Sequence, residues 1–225
     1  MFKVRKIYFK MDWNEDTPFL VVVNSTSKDT SWTEKLKFPY IINYNDDTEN
    51  KSEINILAFI VNHYDKLPEN IINVNGYENK FYHNGSLVDI LNDTEFENKY
   101  KKSKTKGYWN FNTQIMGSVI SNQGRMLQSG WWGECMEKYF GSIYECGDFS
   151  NGKNAYSQFV VSRNRIHSLP KDFYDNMYNW IINNILQEDI EIDPITLCPK
   201  YNSNMSHPNS SHYMTRYMEW SWELI

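Results

Sequence analysis

Three kinds of side chain in this sequence could act on a substrate, and each has a structural alternative. His83 stands in Phe81-Tyr82-His83-Asn84-Gly85, just past a predicted strand. An imidazole there could exchange protons near neutral pH or meet a metal-bound diphosphate; the alternative is a histidine that hydrogen-bonds its own loop. Arg163 and Arg165 follow the apolar run Gln158-Phe159-Val160-Val161-Ser162. Guanidinium groups could neutralise a leaving diphosphate through bidentate contacts, or they could pair with a helix C-terminus or an acidic neighbour. Glu219 shares one side of a predicted final helix with Arg216 and Glu223, opposite the aromatic stripe Tyr213, Tyr217, Trp220 and Leu224. It is either a general base, or an anchor for a sugar hydroxyl, or one member of a solvated ion-pair row worth a few tenths of a kcal/mol.

Metal chemistry has less to stand on. Mg²⁺ is held by one or two carboxylates together with phosphate oxygens. After the predicted strand at Ile71–Val74 the sequence has Asn73 and Asn75 where a D-x-D pair would serve. Asp189-Ile190-Glu191-Ile192-Asp193 alternates acidic residues but lies past a helix end, the usual place of a solvated run. No metal ligand is assigned, and Mg²⁺ or Mn²⁺ stays open only as an auxiliary. The chain has no G-x-G-x-x-G, no phosphate-binding P-loop, no G-x-S-x-G elbow and no H-E-x-x-H.

These groups need a scaffold, and the chain is long enough for one. At 225 residues and 40% hydrophobic it suits a single substantial α/β core and is short for two domains. A net charge of −5 argues against a general nucleic-acid surface. The basic run Lys101-Lys102-Ser103-Lys104-Thr105-Lys106 reads as a solvated loop. Eight Trp and 16 Tyr fit a sugar-stacking surface, but are also ordinary packing residues. Cys135, Cys146 and Cys198 are odd in number and widely spaced, which favours reduced thiols over a disulfide framework or a zinc site. The N-terminus lacks an apolar signal region and no run reaches transmembrane length, so the expectation is a soluble cytoplasmic protein.

Residues 2–9 alternate as an edge strand does, and a polar loop to Pro18 completes the N-terminal part. Phe19-Leu20-Val21-Val22-Val23 has the continuous apolarity of a central parallel strand buried on both faces. A short helix is predicted at Ser31-Trp32-Thr33-Glu34, a strand at Tyr40–Asn43, a helix over 53–64 with Ser52 as N-cap, and a strand at Ile71–Asn75 turning at Gly76. Ser86–Leu91 reads as a short helix, and Gly107-Tyr108-Trp109-Asn110 as re-entry to order. Met116–Leu127 suggests an interrupted helix, Trp131-Trp132-Gly133 a packed or groove-lining turn, and 146–154 a loop. Gln158–Ser162 is a buried strand that hands the chain to an amphipathic helix after Pro170, with Phe173, Met177, Trp180, Ile181 and Ile185 inward. Residues 188–211 form an extended polar loop, either a flap or a surface excursion, before a helix over 212–225. Alternating strands and helices predict a mainly parallel sheet flanked by helices. The arginines at the end of the 158–162 strand would then sit at a ligand-facing edge.

The sequence resembles the DUF3431 family, a domain of unknown function. Its members share a pattern close to Q-F-x-V-S-R-x-R-I followed by L-P, here Gln158 to Ile166 and Leu169-Pro170. A V-V-V-A-type strand, an S-W pair and a strand ending in Y-N correspond to Val21-Val22-Val23-Asn24, Ser31-Trp32 and Ile42-Asn43-Tyr44-Asn45. The family's N-Y-D-x-L-P is matched by Asn62-His63-Tyr64-Asp65-Lys66-Leu67-Pro68, and its closing L-E-x-x-W-H by Met218-Glu219-Trp220-Ser221-Trp222-Glu223. The chain departs from the pattern where Lys51-Ser52 replaces a Gly-Arg pair and where Glu223 replaces the final His. A doubly wound layer without glycine-rich phosphate loops also resembles nucleotide-sugar transferases of the GT-A type. More distantly, the N-x-G-R-E helix and strand resemble the rhamnan-synthesis F glycosyltransferases.

Together these readings imply one GT-A-like α/β domain over 1–225 that moves a sugar from a nucleotide-sugar donor to a glycan or other hydroxyl acceptor. Glu219 and His83 would be catalytic, and Gln158, Ser162, Arg163, Asn75 and Trp222 would contact substrate. The competing expectation is a non-catalytic carbohydrate-binding or interaction protein on a degenerate transferase scaffold. The missing D-x-D and the replaced Gly-Arg and His favour it.

Overall fold

The computed structural model describes residues 6–9, 12–25, 29–44, 52–78, 85–103, 107–112 and 158–185. In chain order these hold strands β1 (Lys6–Phe9), β2 (Leu20–Ser25), β3 (Tyr40–Tyr44), β4 (Asn70–Asn75), β5 (Tyr108–Asn110) and β6 (Phe159–Ser162). The helices are α1 (Ser52–His63), α2 (Leu87–Asn92), α3 (Phe96–Lys101), α4 (Arg163–Ile166) and α5 (Lys171–Ile185), with short 3-10 helices at Ser31–Lys35 and Tyr64–Lys66. The expected elements at 116–127, 131–133, 146–154, 188–211 and 212–225 lie outside the described residues, as do the three cysteines.

The apolar run at 20–23 becomes the middle of the sheet, with no exposed surface on any of its four side chains. The strand order is β1-β3-β2-β4-β6-β5. β2 pairs parallel to β3 on one side and to β4 on the other, as its continuous apolarity predicts. The expectation of a mainly parallel sheet is corrected: the pairings β1–β3, β4–β6 and β5–β6 are antiparallel, so the sheet is mixed. The physical reason lies in β6. Its three apolar side chains are as buried as those of a central parallel strand, but a run of apolar residues reports burial and carries no direction.

The register sorts side chains onto two faces. Val21, Val23, Tyr40, Ile42, Ile72, Val74 and Val160 face a cluster closed by Trp32, Leu36, Phe38, Leu87, Leu91 and Phe96, which come from the first 3-10 helix, its following loop, α2 and α3. Ser86 starts α2 by accepting the Val88 N–H at 3.0 Å. On the other face α1 lies over β2 and packs against α5, burying Ile56, Leu57 and Ile60. The amphipathic pattern of α5 holds for its described side chains, since Phe173, Tyr174 and Met177 are all buried.

Because β6 runs against β4, it ends beside the start of β4, where Ser162 pairs with Asn70. There the segment after β6 grips the segment before β4. The Arg163 N–H donates to Glu69 O at 2.8 Å, while its guanidinium Nη1 donates to Glu15 O at 2.8 Å and Leu67 O at 3.0 Å. His167 Nε2 donates to Tyr64 O at 2.8 Å, and the Tyr64 hydroxyl donates to Leu169 O. Ser162 caps α4 by accepting the Arg165 N–H at 3.2 Å. Gly107 closes the same end: its φ is +74°, and a Cβ there would stand 2.3 Å from Ser162 Oγ.

Arg163→Ala removes two guanidinium bonds from this clasp. The expected loss is about 1–3 kcal/mol, a drop of about 3–10 °C in melting temperature by circular dichroism. An unchanged melting curve would show that the clasp holds nothing.

His63 is half-buried between the rings of Phe59, at 4.8 Å, and Trp13, at 5.3 Å. That burial lowers its pKa from the ordinary histidine value. The unfolded chain therefore takes up the proton first as pH falls. The stabilising contribution of neutral His63 is complete above about pH 6.5 and is drawn down as pH falls through the lowered folded value. Urea midpoints measured between about pH 7.5 and 5 should fall with acid in the natural protein and fall less in His63→Phe. Equal slopes would remove His63 as the cause.

Candidate functional site: the carboxyl edge of the sheet

Each of the three parallel strands turns from apolar to amide at its carboxyl end: Val23-Asn24, Ile42-Asn43 and Val74-Asn75. Asn24 pairs with Asn43 on one side and Asn75 on the other, so the three residues share one face of the sheet, the face under α1. All three are buried, as is Asn73 two residues back on β4. A buried carboxamide must be hydrogen-bonded or it costs the fold. Asn24 is the hub: its Nδ2 donates to Asn73 Oδ1 at 2.6 Å, and its Oδ1 accepts from Asn43 Nδ2 at 3.2 Å. Asn43 Nδ2 also reaches Asn55 O in the first turns of α1, at 3.5 Å. The ladder thus ties β3, β2 and β4 together beneath that helix.

On the opposite face the end of β4 is pressed against β2. The Gly76 N–H donates to Asn24 O at 2.8 Å, and Gly76 O accepts from Trp32 Nε1 at 3.0 Å. A Cβ on Gly76 would stand 2.0 Å from Ser25 Oγ and 2.7 Å from Ser25 Cα, so only glycine fits. Just beyond it Tyr77 is exposed at the rim.

Antiparallel β6 and β5 bring two more segments to this edge. Gln158 immediately precedes β6, and Asn112 follows β5, whose Asn110 pairs with Phe159. Gln158 O accepts from the Phe111 N–H at 3.4 Å and from Asn112 Nδ2 at 3.1 Å. The chain leaves β2 towards β3 and leaves β4 towards the β6 side. The connections therefore part between β2 and β4, the kind of crevice in which open α/β sheets take ligands.

Of the residues singled out in the sequence, the structure brings Asn75 and Gln158 to this edge. It puts Ser162 and Arg163 at the opposite one, four residues further along β6, about 13 Å away. Ser162 serves there as a helix cap, Arg163 as the clasp on two carbonyls, and the Arg165 guanidinium lies over the Tyr108 ring at 5.7 Å from its centre. His83, Glu219 and Trp222 lie outside the described residues. Asn24, Asn43 and Asn112 are residues of this edge that sequence reasoning passed over, and Asn73 entered it only as the place of a missing carboxylate. The available signal was an amide breaking each apolar strand at its last turn outward, which reads equally well as a strand simply ending.

The side chains that end β2, β3 and β4 include carboxamides and a hydroxyl, and no carboxylate. Among the described residues no cluster of three His, Cys, Asp or Glu could hold a metal ion. Such an edge is suited to the neutral polar parts of a ligand, whose hydroxyl or amide groups both donate and accept.

Fold and edge together define a mixed α/β protein with a buried amide ladder at the carboxyl ends of its parallel strands. The model of the family described as protein of unknown function (DUF3431) matches residues 20–225, and the chain belongs to that family. No curated protein and no solved structure matches it. Among the described residues no helix is long and apolar enough to cross a membrane.

Asn24→Ala deletes the hub of the ladder and both its side-chain bonds. The expected cost is about 2–5 kcal/mol, because buried amides on β3 and β4 each lose a hydrogen bond. Urea denaturation measures it, and a loss below about 0.5 kcal/mol would mean the ladder carries no stability.

Proposed function

We propose that this protein is a glycosyltransferase that binds a nucleotide sugar at the carboxyl edge of its sheet and passes the sugar to a hydroxyl acceptor. The observation that carries the reading is the topological switch point between β2 and β4, whose strands end in Asn24, Asn75 and Gly76. The resemblance to GT-A transferases adds to it, although fold alone does not fix function.

In this reading the acceptor hydroxyl gives its proton to Glu219 and its oxygen attacks the anomeric carbon. The bond from that carbon to the diphosphate breaks, and the nucleoside diphosphate leaves with the electron pair. His83 assists as acid or base, and Trp222 contacts substrate; these three roles rest on the sequence. Asn75 and Gln158 contact the donor. Arg163, bonded to the Glu15 and Leu67 carbonyls at the far edge, is given no part in this reading. Neutral amides at the end of β4 favour a donor held without a carboxylate-bound metal, so Mg²⁺ and Mn²⁺ are expected to have little effect.

A second reading has its own support. The same carboxamides, standing where metal-holding carboxylates would serve, suit a protein that binds carbohydrate and transfers nothing. A thermal-shift panel of nucleoside diphosphates, nucleotide sugars and free sugars, with and without Mn²⁺, separates the two. A ligand at 100 times its dissociation constant adds about 2.7 kcal/mol, which is easily seen. Transfer predicts a shift with one nucleotide sugar, and that shift persists in Arg163→Ala measured against its own lower baseline. A response to free sugars alone would sink the transferase reading and leave the binding protein.

A further inference from the structure

Gln158 is fully buried, yet among the described residues neither its Nε2 nor its Oε1 has a hydrogen-bond partner. Native interiors rarely carry such a group, because an unmet buried amide destabilises the fold. Its neighbour shows the same thing. Asn112 Nδ2 is fixed by two acceptors, Asn110 Oδ1 at 2.7 Å and Gln158 O at 3.1 Å. That anchoring settles which end of the amide is nitrogen, and it leaves Asn112 Oδ1 buried and unpartnered. Two residues joined by a hydrogen bond from the Asn112 side chain to the Gln158 main-chain carbonyl therefore hold one orphan donor group and two orphan acceptors. Both stand at the edge of the sheet already assigned to the donor, where β6 begins and β5 ends.

We propose that Gln158 and Asn112 form a carboxamide pair that reads adjacent hydroxyl groups of the ligand, an inference that rests on the donor site proposed above. A hydroxyl both donates and accepts, so two neighbouring hydroxyls can satisfy a carboxamide NH₂ and the two carbonyl oxygens together. A bare phosphate cannot, since it offers only acceptors to the two amide oxygens. In a nucleotide sugar, adjacent hydroxyls occur on the ribose and on the transferred sugar. Away from bulk water each bond made there also discriminates strongly between ligands that have the hydroxyl and those that lack it.

Gln158→Met tests this in the full chain, because it keeps the volume and removes the amide. Binding is measured by titration calorimetry with UDP-glucose, UDP-galactose and GDP-mannose, their nucleoside diphosphates, and methyl glucoside. The expected result is a melting temperature no lower than that of the natural protein, together with binding weaker by about tenfold or more for the probe the natural protein binds. Gln158→Leu repeats the comparison should the methionine variant fail to fold. Weakening of the nucleoside diphosphate as well as its sugar conjugate assigns the hydroxyls to the ribose; weakening of the conjugate alone assigns them to the sugar. A variant that binds as tightly as the natural protein overturns the proposal. So does one that is clearly less stable with its binding unchanged, since the amide then serves the fold. If the natural protein binds methyl glucoside and no nucleotide, the transferase reading fails and the pair is judged on that glucoside by the same tenfold criterion. If it binds none of the probes, both fail.

Discussion

Four residue pairings hold β6 antiparallel to β4, from Asn70 opposite Ser162 to Asn73 opposite Phe159. The direction of that one strand decides which side chains can meet. With β6 reversed relative to the parallel strands, its first residues join the carboxyl edge and its last residues join the amino edge. Gln158 is thereby set at the same edge of the sheet as the amide ladder. Arg163 is set against the loops before β2 and β4, whose carbonyls it binds. Two residues five positions apart in a single motif end with unrelated work.

The two edges are built by different physics. At the amino edge, main-chain carbonyls without strand partners are met by Arg163, His167 and Tyr64, so the bonds there close the structure on itself. At the carboxyl edge the polar groups come from side chains, and they are only partly matched among themselves. Asn24 uses both ends of its amide within the ladder, whereas Gln158 uses neither.

Much of this architecture is legible in the sequence. The run at 20–23 announces a central strand because no other element tolerates such unbroken apolarity between polar loops, and Ser86 announces α2 through its cap. α5 follows from the spacing of Phe173 and Met177. What could not be read is anything that depends on pairing. Burial of Val160 and Val161 is evident, but their strand's direction follows from its partner, not from its own residues. The same holds for Asn24, Asn43 and Asn75, whose common face exists only once the register is fixed. Arg163 shows the same limit: a guanidinium beside a strand end suits a diphosphate and a pair of carbonyls equally well, and its bonds to Glu15 O and Leu67 O appear only once the strands are paired.

The clasp at the amino edge also has a history in time. Its bonds join residues far apart in the chain, Arg163 to Leu67 across 96 positions and Tyr64 to Leu169 across 105. As the polypeptide emerges from the ribosome, β2, β3 and β4 are complete long before β6 exists. Until residue 162 is made, the outer side of β4 presents unpaired N–H and C=O groups beside Ile71 and Ile72, both of which are fully buried in the finished protein. An apolar strand edge in that condition is a template for the wrong partner, including a neighbouring nascent chain. The half-made protein is therefore most vulnerable to aggregation during synthesis of the segment that separates β4 from β6, and its quality in the cell depends on how quickly that stretch is translated or shielded.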